Sequence, residues 1–293
     1  MSSALRPGIV VAVDGSASSD AALRWSAREA VLHRIPLLLV HVLSTDVTAA
    51  WATAVPAALL PLEYFQGREE QARGVLAEAE ALVKDAGATL VTTKFVHAAP
   101  VPALVEASTE AEMVVAGTRG NGAVKRLLLG SVSTGLLYHA RCPVAVVGAD
   151  TVLDRPDAPV VVGVDGSRAS EQALGIAFDE ASLRGVDLVA LHSWSDRSES
   201  LHPYVNWEGV RAQAEETLAI SLAGFGERYP DVTVHREVVF DRPAEHLLER
   251  SESAQLLVVG SRGRGGFAGM LLGSVSAAVV QAAGAPVIVA RGR

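Results

Sequence analysis

Cysteine is almost missing from this 293-residue chain: there is one, Cys142, so neither an internal disulfide nor a thiolate metal cluster can form. Long apolar runs are also missing. None reaches the ~20 residues that cross a bilayer. The opening stretch, MSSALRPGIVVAVDG, has no long apolar segment of the secretory type. A soluble, cytoplasmic protein with no membrane span is expected. Positive charge is in deficit, with 25 Lys and Arg against 33 Asp and Glu, a net −8. That argues against a broad nucleic-acid surface. It leaves room for local basic pockets, one from Arg119, Lys125 and Arg126 and one from Arg262 and Arg264. The histidines form no spaced metal-ligand set, so no protein metal site is expected.

What the chain does have is a duplication. Residues 10–44 read VVAVDGSASSDAALRWSAREAVLHRIPLLLVHVLS, and residues 161–195 read VVGVDGSRASEQALGIAFDEASLRGVDLVALHSWS. Residues 117–133, GTRGNGAVKRLLLGSVS, return at 260–276 as GSRGRGGFAGMLLGSVS. The offsets are 151 (161 − 10) and 143 (260 − 117), so the second copy is 8 residues shorter in its middle. A period this long marks two domains, not a solenoid. The boundaries predicted are 1–149 for the first domain, 150–159 for a linker and 160–293 for the second. The connecting stretch Gly148–Pro159 has two prolines and three aspartates, as suits an exposed connection. The excess in the first half falls in Ser44–Pro61 and reads as a variable surface loop.

Each half alternates apolar β-branched runs with helical stretches. The first half predicts strands at Ile9–Val13, Leu37–Val42, Leu90–Val96, Met113–Ala116 and Val144–Val147. Its helices are Ser18–His33, Pro61–Ala86, Val101–Glu110 and Ser131–Ala140, with Ser18 and Ser131 as candidate caps. The second half predicts strands at Val160–Val164, Asp187–Leu191, Val232–Val239, Leu256–Val259 and Val287–Ala290. Its helices are Ala169–Arg184, Trp207–Arg228, Ala244–Ser253 and Ser274–Ala283. Runs apolar almost throughout suit parallel strands covered on both faces. The fold class expected is α/β, with two tandem doubly wound domains. Each is a five-stranded parallel sheet in the order 3-2-1-4-5, flanked by helices. In such sheets ligands bind where the strand order reverses, beyond the carboxyl ends of strands 1 and 4.

Two recurring features meet at that reversal. Asp14 and Asp165 end the first strands, and Gly117 and Gly260 end the fourth. The loops run Gly117-x2-Gly120-x9-Gly130-Ser131 and Gly260-x2-Gly263-x9-Gly273-Ser274. Glycines let a backbone come close to a ligand, turned N–H groups form an anion nest, and a helix that opens at the serine points further N–H groups the same way. The pattern is not a Walker A loop, because no Gly-Lys-Ser/Thr follows, nor a dinucleotide fingerprint, which would follow strand 1. A phosphate chain is the ligand this predicts. Asp14 and Asp165 either accept from ribose hydroxyls, or help hold Mg²⁺ through phosphate oxygens and water, or cap their own turns. His41 and His192 recur at the end of strand 2 and read as pocket-wall or core histidines. No nucleophile recurs beside them, so neither reads as a general base. Trp25, Trp51, Trp194 and Trp207 do not recur and read as packing.

These residues resemble the universal stress protein family in its tandem-domain form, over nearly the whole chain. The most specific element is G-2x-G-9x-G-[S/T], complete in both halves, with the strand-1 aspartate next. The resemblance implies an ATP-binding protein in which Gly117, Gly120, Gly130, Ser131 and Val132 hold phosphates and ribose. It implies the same for Gly260, Gly263, Gly273, Ser274 and Val275. Asp14 and Asp165 would sit beside the nucleoside, and the backbone of Val40, His41 and Val42, or of Ala190, Leu191 and His192, would read the adenine edge. Ala12, Val13, Arg119, Asn121, Gly122, Arg126 and Ser133 complete the first candidate site. Gly163, Val164, Arg262, Arg264, Gly265, Gly266 and Ser276 complete the second. At the strand-1 position where the second half has Gly163, the first has Ala12, whose methyl would crowd a ligand.

The function expected is that of a stress-response regulator with one ATP site per domain, Mg²⁺ accompanying the nucleotide, acting as a sensor or switch. Two alternatives stand beside it: a slow ATPase or phosphotransferase, for which no water-activating base recurs, and a nucleotide-independent interaction module, in which the loops only shape the fold. The short apolar fifth strands, Pro143–Val147 and Pro286–Ala290, are expected at sheet edges, where bare apolar strands invite pairing. In the family this strand pairs across domains or subunits, which implies pseudo-twofold pairing of the halves and allows a homodimer.

Overall fold

A computed structural model describes residues 8–44, 62–120, 129–194, 207–264 and 271–291. The chain divides into two compact units, Met1–Ala149 and Asp150–Arg293. The first contains β1 (Ile9–Ala12), α1 (Ala17–His33), β2 (Leu37–Leu43), α2 (Leu62–Asp85), β3 (Val91–His97), α3 (Pro100–Ala107), β4 (Met113–Gly117), α4 (Ser131–His139) and β5 (Val144–Val147). The second contains β6 (Val160–Val164), α5 (Arg168–Arg184), β7 (Leu188–Trp194), α6 (Trp207–Leu222), α7 (Phe225–Arg228), β8 (Val234–Phe240), α8 (Pro243–Ser251), β9 (Leu256–Gly260), α9 (Ser274–Ala282) and β10 (Val287–Ala290).

Within the first unit the strands lie in the order β3-β2-β1-β4-β5, every neighbour parallel. Within the second the order is β8-β7-β6-β9-β10, again all parallel. Both are the expected 3-2-1-4-5 winding, which reverses between β1 and β4 and between β6 and β9. The cause is burial on both faces. Ile9, Val10 and Val11 of β1, Val114 and Val115 of β4 and Val160–Val162 of β6 are buried, as are Leu23 of α1 and Leu174 and Phe178 of α5. Each such aliphatic side chain contributes roughly 1.5–3 kcal/mol. A charge at Val115 would lose that contribution and add a desolvation cost.

The outer strands depart from the all-apolar expectation. Thr92, Thr93 and Lys94 of β3 and His235 and Arg236 of β8 are exposed. Within each unit these strands have a neighbour on one side only, and charged side chains there discourage further pairing. The helix expected over Trp207–Arg228 is broken in two, because Gly224 takes a left-handed φ of 82°. The linker is not a bare connection. Arg155 donates to the Ala254 carbonyl at 3.2 Å, and Gln255 donates to the Ala158 carbonyl at 2.5 Å, tying it to the second unit.

Both expected caps move. Ser16, not Ser18, caps α1: its hydroxyl accepts from the Ser19 N–H at 3.2 Å. Ser167 does the same for α5 through Ser170. α4 and α9 begin at Ser131 and Ser274, but the cap residues are Gly130 and Gly273, with no side-chain cap at all. A serine caps only from the residue before the first helical φ/ψ, and both Ser18 and Ser131 are already inside their helices. Among the described residues no helix is long and apolar enough to cross a membrane.

Candidate functional site

The turn after β1 is built around a carboxylate. Gly15 takes φ 73°, which swings the chain so that the Asp14 Oδ1 accepts from the Ser16 N–H at 3.0 Å. The Asp14 N–H donates to the Ser19 Oγ at 3.3 Å. The second unit repeats the turn: Gly166 at φ 73°, Ser167 N–H to Asp165 Oδ1 at 3.0 Å, and Asp165 N–H to Ser170 Oγ at 3.1 Å. The turn-capping role of both aspartates is therefore present.

The other carboxylate oxygen faces the glycine loop. A side chain at Gly120 would strike the Asp14 Oδ2, and one at Gly263 would strike the Asp165 Oδ2. In the second unit that oxygen also accepts from the Arg264 N–H at 3.0 Å. The start of each loop presses on the first helix. A Cβ on Gly117 would lie 2.6 Å from the Ser18 carbonyl carbon, and one on Gly260 2.8 Å from that of Ala169. Glycine is required at these positions by close approach of backbone to backbone, not by φ.

Serines sew the turn to the loop. Ser16 Oγ donates to the Arg119 carbonyl at 3.1 Å, and Ser167 Oγ donates to the Arg262 carbonyl at 3.2 Å. Ser18 Oγ also donates to the Arg119 carbonyl, and it accepts from the Arg119 N–H at 3.3 Å. The loops close on themselves through the Gly130 N–H to the Thr118 carbonyl at 2.7 Å and the Gly273 N–H to the Ser261 carbonyl at 2.8 Å. Ser133 and Ser276, expected at the ligand, are buried and donate to the Gly117 and Gly260 carbonyls at 2.5 and 2.6 Å. Ser131 and Ser274 are exposed at the helix starts. An uncapped helix start beside a turned glycine backbone suits an anion, and the exposed Arg119, Arg262 and Arg264 supply positive charge nearby.

The strand-2 expectations shift. Val40, Ala190 and Leu191 are buried inside their sheets, and the Val40 carbonyl accepts from the Val13 N–H at 2.9 Å. β7 runs on to Trp194, so the strand end beside the turn is Ser193–Trp194; in the first unit it is His41–Leu43. His192 is buried, and its Nδ1 lies 2.7 Å from the Val164 carbonyl. The matching Nδ1 of His41 is shut off from solvent near the Val13 carbonyl, in poorer hydrogen-bond geometry. Burial lowers the His41 pKa, opposed by the nearby Val13 carbonyl and the Asp14 charge. At Gly163 an added methyl would meet Leu247 at 3.1 Å and Val259 at 3.5 Å. The contrast with Ala12 thus bears first on packing beneath α8.

Asn121, Gly122, Arg126, Gly265, Gly266 and most of the 44–61 excess lie outside the described residues. The serines that stitch the turn, Ser16, Ser18, Ser19, Ser167 and Ser170, were not among the expected site residues. Their signal was present: Ser16 and Ser19 recur as Ser167 and Ser170 at the 151-residue offset. A cavity of about 320 Å³, lined by Asp157, Asp187 and His235 among others, opens at the amino end of β7, the edge opposite the loop.

A doubly wound domain, repeated, with an aspartate turn facing a glycine loop at its reversal, defines a tandem doubly wound class of α/β protein. The model of the universal stress protein family matches residues 8–148 and 158–291, and the chain belongs to that family. It is 52% identical over 290 residues to a universal stress protein of Mycobacterium tuberculosis, covering 97% of each chain. It is 49% identical over 296 residues to one of Mycolicibacterium smegmatis, covering 99% of each. A universal stress protein from Archaeoglobus fulgidus superposes with a TM-score of 0.70 at 24% identity, covering 97% of this chain and 98% of that one, and shares the fold.

Proposed function

We propose that each unit binds one adenine nucleotide, ATP with Mg²⁺, and that the chain acts as a stress-response regulator whose conformation or assembly reports nucleotide occupancy. One observation carries this reading: the same parts meet twice, an aspartate turn, the ends of a glycine loop and a helix start that lacks a side-chain cap. Turn geometry alone would not require both helices to begin on an uncapped glycine, since α1 and α5 use serine.

The residues fit a phosphate chain. The N–H groups of Ser131 and Val132, or Ser274 and Val275, would meet the phosphates, and the glycines would keep Cβ atoms out of the way. A helix start contributes only ~0.3–1 kcal/mol, so the loop amides and the arginines must supply the rest. Asp165 already accepts from two N–H donors. Mg²⁺ would therefore be held through phosphate oxygens and water, with the carboxylate oriented toward them. The bound metal ion would screen the phosphate charge from that carboxylate.

Calorimetry on nucleotide-stripped protein should show Mg-ATP binding with up to two sites per chain. Mass spectrometry of small molecules released from the purified protein should find adenine nucleotide. Absence of binding at millimolar ATP would overturn the reading. Ligand at 100 times Kd adds ~2.7 kcal/mol to the bound state, enough to shift a conformational equilibrium.

A further inference from the structure

We propose that His192 is a positioning residue of the second nucleotide site, holding the Val164–Asp165 peptide so that the Asp165 carboxylate faces the glycine loop. The inference rests on the nucleotide reading above and adds a residue that acts without touching the ligand. A carbonyl oxygen only accepts, so the 2.7 Å contact from His192 Nδ1 to the Val164 carbonyl puts a proton on Nδ1. The N–H of the same peptide donates to Ser170 Oγ at 3.1 Å. Both polar ends of one amide are thus held, and its plane sets the direction in which Asp165 leaves β6. The carboxylate beyond it meets the Ser167 N–H and the Arg264 N–H, each at 3.0 Å. His192 is buried at 7% exposure, so water competes little for this hydrogen bond.

In the first unit the Val13 carbonyl also lies near His41, whose Nδ1 makes no hydrogen bond of good geometry. There the Asp14 N–H donates to the Ser19 Oγ at 3.3 Å.

The test uses the full chain carrying Gly120→Val, which confines binding to the second site, titrated with Mg-ATP in a calorimeter. His192→Phe removes the donor and should weaken binding about two- to tenfold, the range of one hydrogen bond. His192→Asn puts an amide N–H where the ring N–H stood and should bring the affinity back to within about twofold. His192→Gln places its amide one bond too far out and should stay weak; it also replaces the Phe variant if that one does not fold. Unchanged affinity in both Phe and Gln variants, or an Asn variant as weak as Phe, would overturn the proposal and leave the nucleotide reading standing. No Mg-ATP binding by the unsubstituted chain would remove that reading, and this proposal with it.

Discussion

The two halves share one serine stitch to the start of the glycine loop and differ in a second. In the first, the Ser18 hydroxyl both donates to and accepts from the Arg119 backbone. In the second, Ala169 stands at that position and has no hydroxyl, and the Ser167 hydroxyl meets the Arg262 carbonyl. Their helix ends differ too. α1 stops at Arg34 with φ 57°, while α5 stops at Gly185 with φ 65°, so the first half uses an arginine where glycine is the unstrained choice. Duplicated domains thus keep the glycines at the loop's ends under tighter constraint than the side chains that anchor them. Gly117 and Gly260 are fixed by backbone lying against them, whereas a hydroxyl that reaches the loop can be kept or lost.

The comparison breaks most sharply at the loop entrances. Gly117→Ala would force a methyl to within 2.6 Å of the Ser18 backbone, and Gly260→Ala to within 2.8 Å of Ala169. Backbone cannot retreat as a side-chain tip can. Overpacking of this kind costs roughly 1–3 kcal/mol. Each substitution should reduce calorimetric binding from two sites to one, with about a tenfold or greater loss at the altered site. Equal affinity at both sites in either variant would detach the loop from binding.

A smaller effect sharpens the contrast in helix ends. Arg34→Gly should stabilise the first half by about 1 kcal/mol, the usual cost of a left-handed residue with a Cβ. Thermal denaturation should register it as an upward shift in Tm. Gly185→Ala should do the reverse in the second half.

The smallest effect is the pH response of His41. Its folded pKa lies below the ordinary 6.5 because of burial. As pH falls through 6.5, the unfolded chain takes up a proton before the folded one, so stability declines. The loss levels off once pH passes the folded value. Urea unfolding at pH 7.5 and 5.5 should show this decline, and His41→Gln should reduce it. An identical decline in the variant would assign it to other groups.

Much of this was legible in the residues. The apolar runs marked the strands, and the 3-2-1-4-5 winding followed from alternation with helices. Reading β7 to end at Leu191 failed because His192 and Ser193 interrupt the apolar run, yet they continue the ladder against Val238 and Val239. The helix over 207–228 looked continuous because Gly224 is a single residue whose sign of φ no periodicity reveals. At the site, the glycines and aspartates were visible as repeats, but their roles divided once placed. Asp14 and Asp165 serve the turn with one oxygen and face the loop with the other. Ser133 and Ser276 turned out to hold the loop's own carbonyls.

The order of residues by itself determined a duplicated, doubly wound α/β chain with a glycine loop after the fourth strand of each half. Apolar periodicity and glycine placement are local properties, and local chemistry is enough to impose them. Only the tertiary structure decided which hydroxyl caps and which one stitches, and that His192 meets the Val164 carbonyl. Those bonds join partners such as Ser18 and Arg119, 101 residues apart. Such partners meet only after the sheet has brought its strand ends together, and a few tenths of an ångström there separate a hydrogen bond from none.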